Sequence, residues 1–167
     1  DIYFVDERRG VADLVVEQVG EGRDTVYSLG DYTIAANVED LHLLGRAHLD
    51  ATGNELSNVL EGNEGNNRLS GGAGTDTYVY SLHQGNDSIH ENGVGGQTDT
   101  LKLQGVSAET IRLKRSHDDL IVDFPGREGR VTLKKWFASS ANRVEKFEFD
   151  DGTTWDEAAI RSRVGKF

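Results

Sequence analysis

The chain is predicted to be all-β: a parallel β-roll, a form of β-solenoid, capped by a mostly antiparallel β-meander and a short C-terminal helix. Three observations predict it. Residues 53–79 divide into three lines of nine, GNELSNVLE, GNEGNNRLS and GGAGTDTYV. From Leu101 onward short runs of alternating apolar and polar residues are separated by Gly, Asp and Pro. The whole chain carries 20 Gly, a single Pro and a hydrophobic share of 36%, a composition that suits turns and a thin core.

Each line of nine opens with Gly, has Asn or Asp at its sixth place and a large apolar residue at its eighth. Six residues rich in Gly, Asn and Asp supply the tight-turn conformations that bulkier side chains resist, and three remain to extend as a strand. A turn and a strand make half a coil. Two nonapeptides therefore close one coil, with Leu60, Leu69 and Tyr78 pointing inward. Coils stack like parallel strands, roughly 4.8 Å apart, which sets Asn58 over Asp76. Stacked turns present carbonyl oxygens together with the sixth-place side-chain oxygens. A cage of six or more oxygens with little nitrogen or sulfur suits a hard cation, and its size and flexibility favour Ca²⁺ over Mg²⁺.

Upstream, DIYFVDERRG onward can be laid over DTYVYSLHQG onward with a shift of 75 residues. Asp1 then meets Asp76, Tyr3 meets Tyr78 and Asp24 meets Asp99, while Asp13 and Asp87 fall one place apart. Asp1 is thereby expected at the sixth place of a nonapeptide, in a piece cut from a longer array. The run from Tyr32 to Asp50 reads as two or three short strands, with His42 and His48 as surface or turn residues. After Val79 the next G-x-D, Gly85 to Asp87, comes two places late, which an insertion near Tyr80 and Ser81 explains. GGQTD, Gly95 to Asp99, is five late.

Residues 1–100 are assigned to the roll and 101–167 to the cap. In the cap, TLKLQ, TIRLKRS, DLIVDFPG, RVTLKKWF and VEKFEFDDGTTW read as strands in hairpins, needed because a solenoid's last coil exposes apolar side chains and an unpaired edge. Trp136, Phe137, Phe147, Phe149 and Trp155 are its core candidates. Thr154 or Asp156 can N-cap a helix from about Asp156 to Val164, with Ala158, Ala159 and Ile160 on its apolar side.

The charge is uneven. Residues 1–100 hold 18 Asp and Glu against 5 Arg and no Lys, whereas 101–167 hold 11 acidic and 13 basic residues. Packed carboxylates repel one another, so the acidic part is expected to fold poorly until a cation neutralises it. The same surface argues against nucleic acid, whose phosphates need clustered Lys and Arg. With no Cys, disulfides and thiolate metal sites are excluded. No apolar run approaches the roughly 20 residues of a membrane-spanning helix. Catalysis finds no home either. His90-Glu91 lacks a second His at the zinc-protease spacing, no Gly-x-Ser-x-Gly elbow occurs, and Asp150 to Glu157 reads as a hairpin leading into a helix and not an EF-hand loop.

The segment GGAGTDTYV, Gly71 to Val79, matches the G-G-x-G-x-D-x-U-x repeat, and through it the chain resembles the RTX, or haemolysin-type calcium-binding, family. The two upstream lines depart from the pattern with Asn54 and Asn63 for the second Gly, Leu56 for the fourth-place Gly, and Asn58 and Asn67 for Asp. These keep oxygen ligands and remove charge. Further on, GNDSIHENG, DDLIVDF, VTLKKWF, RVEKFEF and DGTTWDEAAI resemble the segment after the repeats in RTX toxins such as adenylate cyclase toxin.

The resemblance implies Ca²⁺ sites between stacked turns, using carbonyls and sixth-place side chains. One would use Gly53, Glu55 and Asn58 with Gly72, Gly74 and Asp76. A second would use Gly62, Glu64 and Asn67 with His83, Gly85 and Asp87. A third would pair Gly71, Ala73 and Asp76 with Asp99, with Glu91 near enough in sequence to contribute. It also implies a noncatalytic, monomeric module of a larger secreted bacterial protein, unfolded at low cytosolic calcium, exported by a type I secretion apparatus and folded outside the cell. The alternative is a carbohydrate-binding or adhesive module built on the same roll, with a polysaccharide or cell-surface ligand. It requires an exposed aromatic and basic face, for which Lys134, Lys135, Trp136 and Arg143 are the candidates.

Overall fold

Fifteen short strands, one α-helix and one short 3-10 helix (Ser140–Asn142) are seen among the described residues of the computed structural model, which are 1–6, 13–92 and 97–165. The strands form two sheets. One contains β1 (Ile2–Val5), β2 (Thr25–Ser28), β4 (Asp40–Leu43), β6 (Val59–Glu61), β8 (Thr77–Ser81), β10 (Thr100–Gln104), β14 (Lys146–Phe149) and β15 (Thr154–Trp155), adjacent in that order. The other begins with β3 (Tyr32–Thr33) and runs through β5 (Asp50–Thr52), β7 (Arg68–Ser70), β9 (Asn86–Ile89), β13 (Arg130–Leu133) and β12 (Asp119–Asp123) to β11 (Arg112–Ser116).

From β2 to β10 the chain alternates strictly between the sheets, and each strand pairs in parallel with the next but one. The nonapeptide dictates this. Its three-residue strands are too short to carry two buried side chains, so each contributes one. Leu60 and Tyr78 are partners in one sheet and Leu69 and Ile89 in the other, and all four are buried in a single core fed by both sheets. The Leu60–Tyr78 pairing spans two nonapeptides, whereas Leu69 to Ile89 spans two residues more. The extra residues lie in a turn after β8 where His83 adopts φ 75°. Tyr78 to Leu101 is longer again; Gly95 and Gly96 of the GGQTD turn lie outside the described residues.

Beyond Leu101 the pairing departs from a mostly antiparallel meander. Antiparallel neighbours are β11–β12, β12–β13 and β14–β15. Strand β10 lies parallel to both β8 and β14, and β13 lies parallel to β9. Alternation of apolar and polar residues specifies a half-buried strand but not the direction of its neighbour, so TLKLQ extends the parallel sheet as readily as it could begin a hairpin. Both sheets thus continue across residue 100.

Helix α1 (Glu157–Arg163) starts where Asp156 accepts from the Ala159 N–H at 2.7 Å, with Glu157 in the first turn and Arg161 and Arg163 in the last, the polarity a helix dipole favours. It buries Ile160. Trp136, Phe147, Phe149 and Trp155 are buried, and Phe137 packs partly buried against them. The indole N–H of Trp136 donates to Val144 O at 2.9 Å, and the guanidinium of Arg161 sits 4.7 Å from the ring centroid. Trp136 therefore presents no exposed face, and the aromatic platform required by a glycan-binding reading is absent at this residue. No described helix is long and apolar enough to cross a membrane.

Because Leu60 has no exposed surface, Leu60→Ala opens a cavity between the sheets and is expected to cost about 2–5 kcal/mol. Chemical denaturation of the folded chain measures this; a loss below about 1 kcal/mol contradicts the packing described.

Candidate metal centre

The Gly-rich turns stack as closely as backbone allows. A Cβ on Gly74, whose φ is 109°, would lie 2.3 Å from Leu56 O, and one on Gly53 would lie 2.1 Å from Gly71 O. Turn 53–58 thus sits directly on turn 71–76, and glycine is required there by both approach and conformation. The companion column is built alike, with Gly85 against Gly65 O.

Sixth-place side chains link the turns. The Asn58 N–H donates to Asp76 Oδ1, the Asp76 N–H to Asp99 Oδ1, and in the other column the Asn67 N–H to Asp87 Oδ1, each at 2.8 Å. The Asp99 N–H donates to Glu145 Oε2 at 2.9 Å. Each Asp spends one oxygen in this way. The second oxygens of Asp76 and Asp87 are buried and have no hydrogen-bond partner among the described residues. A buried carboxylate oxygen without a partner is costly, and that cost is the strongest sign of a missing positive charge.

The Asn residues behave differently. Asn58 Oδ1 accepts from the Asn54 N–H at 2.8 Å, and its amide donates to Glu39 O at 3.1 Å and Asn54 Oδ1 at 3.0 Å. Asn54 Nδ2 donates to Ala35 O and Val38 O at 2.7 and 2.8 Å. Asn63 and Asn67 repeat the arrangement, Asn63 reaching Leu44 O and Ala47 O. An amide carries donors and an acceptor, so these rungs satisfy their carbonyls internally.

Asp76, Glu91 and Asp99 come together as a buried cluster in which one oxygen from each lies within 4.8 Å of the others. Oxygens about a calcium ion at 2.3–2.6 Å are separated by up to roughly 5 Å, so the spacing admits such an ion. Tyr78 closes the cluster: its hydroxyl donates to Glu91 Oε1 and accepts from the Gly71 N–H at 2.7 Å. Burial pushes the carboxyl of Asp76 up to about 7, with the charge of Asp99 adding to the rise and the Asn58 N–H opposing it. Burial raises Asp87 to about 7 and Glu91 to about 8, the latter helped by Asp99 and Asp76, and lifts Asp99 and Glu145 as well. All five resist ionising in the ion-free fold, and a cation reverses that preference.

Of the oxygens expected in the second column, two have side-chain donors already. Gln84 Nε2 donates to Gly62 O at 2.9 Å, and the Tyr80 hydroxyl lies 3.1 Å from Gly85 O. Each carbonyl retains a second lone pair. Glu55 and Glu64 point their side chains outward, Glu64 onto Arg46 at 2.6 Å, so their backbone alone faces the turns. The His83 side chain is exposed too. His42 Nδ1 lies 2.6 Å from Glu61 Oε2, and His48 Nδ1 accepts from the Asn66 N–H, so both serve the surface. Glu145 and the hydroxyl of Tyr78 were not legible as parts of the centre. Tyr78 occupies an eighth place that marks a core side chain, and Glu145 lies far outside the repeat.

Residues 52–82 match the RTX calcium-binding nonapeptide repeat family, and residues 119–159 match the haemolysin-type calcium binding protein related domain. Among curated proteins, the chain is 34% identical over 100 residues to the RTX-I toxin determinant A of Actinobacillus pleuropneumoniae serotypes 1/9, covering 50% of this chain and 9% of the toxin. It is 29% identical over 93 residues to the iron-regulated protein FrpA of Neisseria meningitidis serogroup C, covering 53% and 8%. With exotoxin PaxA of Pasteurella aerogenes it shares 29% over 76 residues, covering 44% and 7%. The chain therefore matches less than a tenth of each relative's length.

Asp76→Asn replaces the unpartnered oxygen with an amide and removes one charge. The calcium concentration at half-maximal folding should rise at least about tenfold, or about 1.4 kcal/mol, when followed by tryptophan fluorescence. Coincident titrations of variant and parent would exclude Asp76 from the ion's shell.

Proposed function

From the premise that this chain is a carrier of haemolysin-type, or RTX, calcium-binding repeats, we propose that it is a noncatalytic calcium-binding module of a larger secreted bacterial protein, and that calcium decides whether it folds. The observation that carries the reading is the pair of buried carboxylate oxygens, Asp76 Oδ2 and Asp87 Oδ2, left without hydrogen-bond partners among the described residues. Oxygen-only surroundings select a hard cation. A ligand bound only by the folded form adds RT ln(1 + [L]/Kd), about 2.7 kcal/mol per site at a hundredfold excess. Two or three such sites match the whole stability of many domains.

The architecture is a parallel β-roll over residues 1–100 with a cap over 101–167. Strict alternation between sheets from β2 to β10 supports the roll, and the confinement of antiparallel pairs to strands after β10 supports the cap. The ligands are Gly53, Glu55 and Asn58 with Gly72, Gly74 and Asp76; Gly62, Glu64 and Asn67 with His83, Gly85 and Asp87; and Gly71, Ala73, Asp76, Glu91 and Asp99. The stacking of these turns and the Asp76–Glu91–Asp99 cluster support the sets. Low cytosolic calcium keeps the module unfolded for passage through a type I exporter, and calcium outside the cell winds it. The acidic balance of residues 1–100 supports that order of events, since self-repulsion opposes folding before the ion arrives.

Far-UV circular dichroism of the chain, depleted of calcium and then titrated with it, tests the proposal. A disordered spectrum converting to a β spectrum, with magnesium at the same concentration failing to substitute, is the expected result. A chain equally folded after exhaustive chelation, with no calcium by elemental analysis, would refute it.

A further inference from the structure

We propose that Asp1, Glu17 and Asp24 form a further divalent-cation site, the counterpart one long repeat earlier of Asp76, Glu91 and Asp99. One carboxylate oxygen from each of the three lies within 4.8 Å of the others, as in the downstream cluster. The site falls outside both stretches that match calcium-binding families, 52–82 and 119–159.

The two clusters share three hydrogen bonds and a strand register. The Tyr3 hydroxyl donates to Glu17 Oε1 as the Tyr78 hydroxyl donates to Glu91 Oε1. The Asp1 backbone nitrogen, the terminal ammonium of this chain, donates to Asp24 Oδ1 as the Asp76 N–H donates to Asp99 Oδ1. The Thr25 N–H donates to Asp1 O at 3.0 Å, and the Thr100 N–H donates to Asp76 O at 2.8 Å. Strands β1 and β2 pair in the same parallel register as β8 and β10, Tyr3 opposite Val26 and Tyr78 opposite Leu101. With the one-place slip that aligns Asp13 with Asp87, Glu17 falls on Glu91.

A cluster of acids alone would not make a site. Asp24 adds the independent sign. It is 1% exposed, its Oδ1 is taken by the Asp1 nitrogen, and its Oδ2 is buried with no hydrogen-bond partner among the described residues. Glu17 is 6% exposed beside it. The guanidinium of Arg23, next in sequence, is turned away onto Asp40. The Asp1 ammonium pairs with Asp24 Oδ1, so one positive charge is set against three carboxylates, and the idle Asp24 Oδ2 is left for a cation held among them. The donors are oxygen only, which selects a hard ion; the choice of calcium, though not the site, rests on the proposed function.

Crystals of the chain grown in calcium, with anomalous data collected on the ion, test the site together with calcium stoichiometry by equilibrium dialysis for Asp24→Asn and Glu17→Gln. The expected result is an anomalous peak bounded by Asp1, Glu17 and Asp24, and the loss of one bound ion per chain in each variant while the peak at Asp76, Glu91 and Asp99 persists. Glu17→Gln keeps an acceptor for Tyr3, so it reports on binding even where Asp24→Asn impairs folding. Peaks confined to the downstream turns, with unchanged stoichiometry in Glu17→Gln, overturn this site and leave the proposed function standing. No bound ion anywhere in a folded chain overturns both.

Discussion

Everything in this molecule hangs on a ladder of acidic side chains that accept hydrogen bonds from the backbone of the preceding turn. Along one edge of the larger sheet the rungs are Asp1 to Asp24, Asp24 to Glu39, Asn58 to Asp76, Asp76 to Asp99 and Asp99 to Glu145. Each bond satisfies an N–H that the tight turn could not pair within itself. The same bonds bring carboxylates of successive coils close together and under cover. Hydrogen bonding therefore drives stacking while electrostatics opposes it, and the cation of the proposed function would remove the conflict.

The thin core makes that conflict decisive. Each three-residue strand buries a single side chain such as Leu60 or Leu69, so a coil gathers little apolar area for the backbone it must order. A thicker core could absorb several raised carboxyl groups. Here the raised groups Asp76, Asp87, Glu91 and Asp99 lie in the same coils as the buried Tyr78, Tyr80, Ile89 and Leu101. Further along, where β10, β13 and β14 bring Leu103, Val131, Leu133, Phe147 and Phe149 inward, the chain returns to ordinary packing and its charges pair on the surface, as Lys114 does with Asp123.

What the sequence revealed and what it hid follow from the range of the interactions involved. The register of turn 53–58 on turn 71–76 was legible because a fixed period carries its own alignment, and Asn58 over Asp76 needed only counting. The direction of strands after Leu101 was not legible, since alternation is the same for either neighbour. Glu145 was hidden for a different reason. It reaches Asp99 across 46 residues, and no local pattern marks a side chain brought back by a chain that has left the sheet for three strands and returned. Glu17 and Asp24 lay between these cases. The long repeat aligned Asp24 with Asp99, but the slip of one place near Asp13 concealed the match of Glu17 to Glu91, which the shared bond from a tyrosine makes plain.

The exchange of Asn for Asp at sixth places is therefore not a weakening of one motif but a division of labour. Asn58 and Asn67 bring their own donors, and with Asn54 and Asn63 they bind the carbonyls of the turn before. Those rungs close without an ion, and each side-chain oxygen keeps a second lone pair for one. Asp76 and Asp87 bring only acceptors, so under the proposed function their rungs close when the ion binds. Two conditional rungs lie against unconditional ones: Asp76 stacks on the turn of Asn58, and Asp87 on the turn of Asn67. A ribbon of conditional rungs alone would have no ordered surface on which the first ion could assemble its ligands. A ribbon of unconditional rungs would wind in any medium. Under the proposed function the mixture keeps the nucleus of a coil available while its completion would depend on the ion, through which turns carry an amide and which a carboxylate.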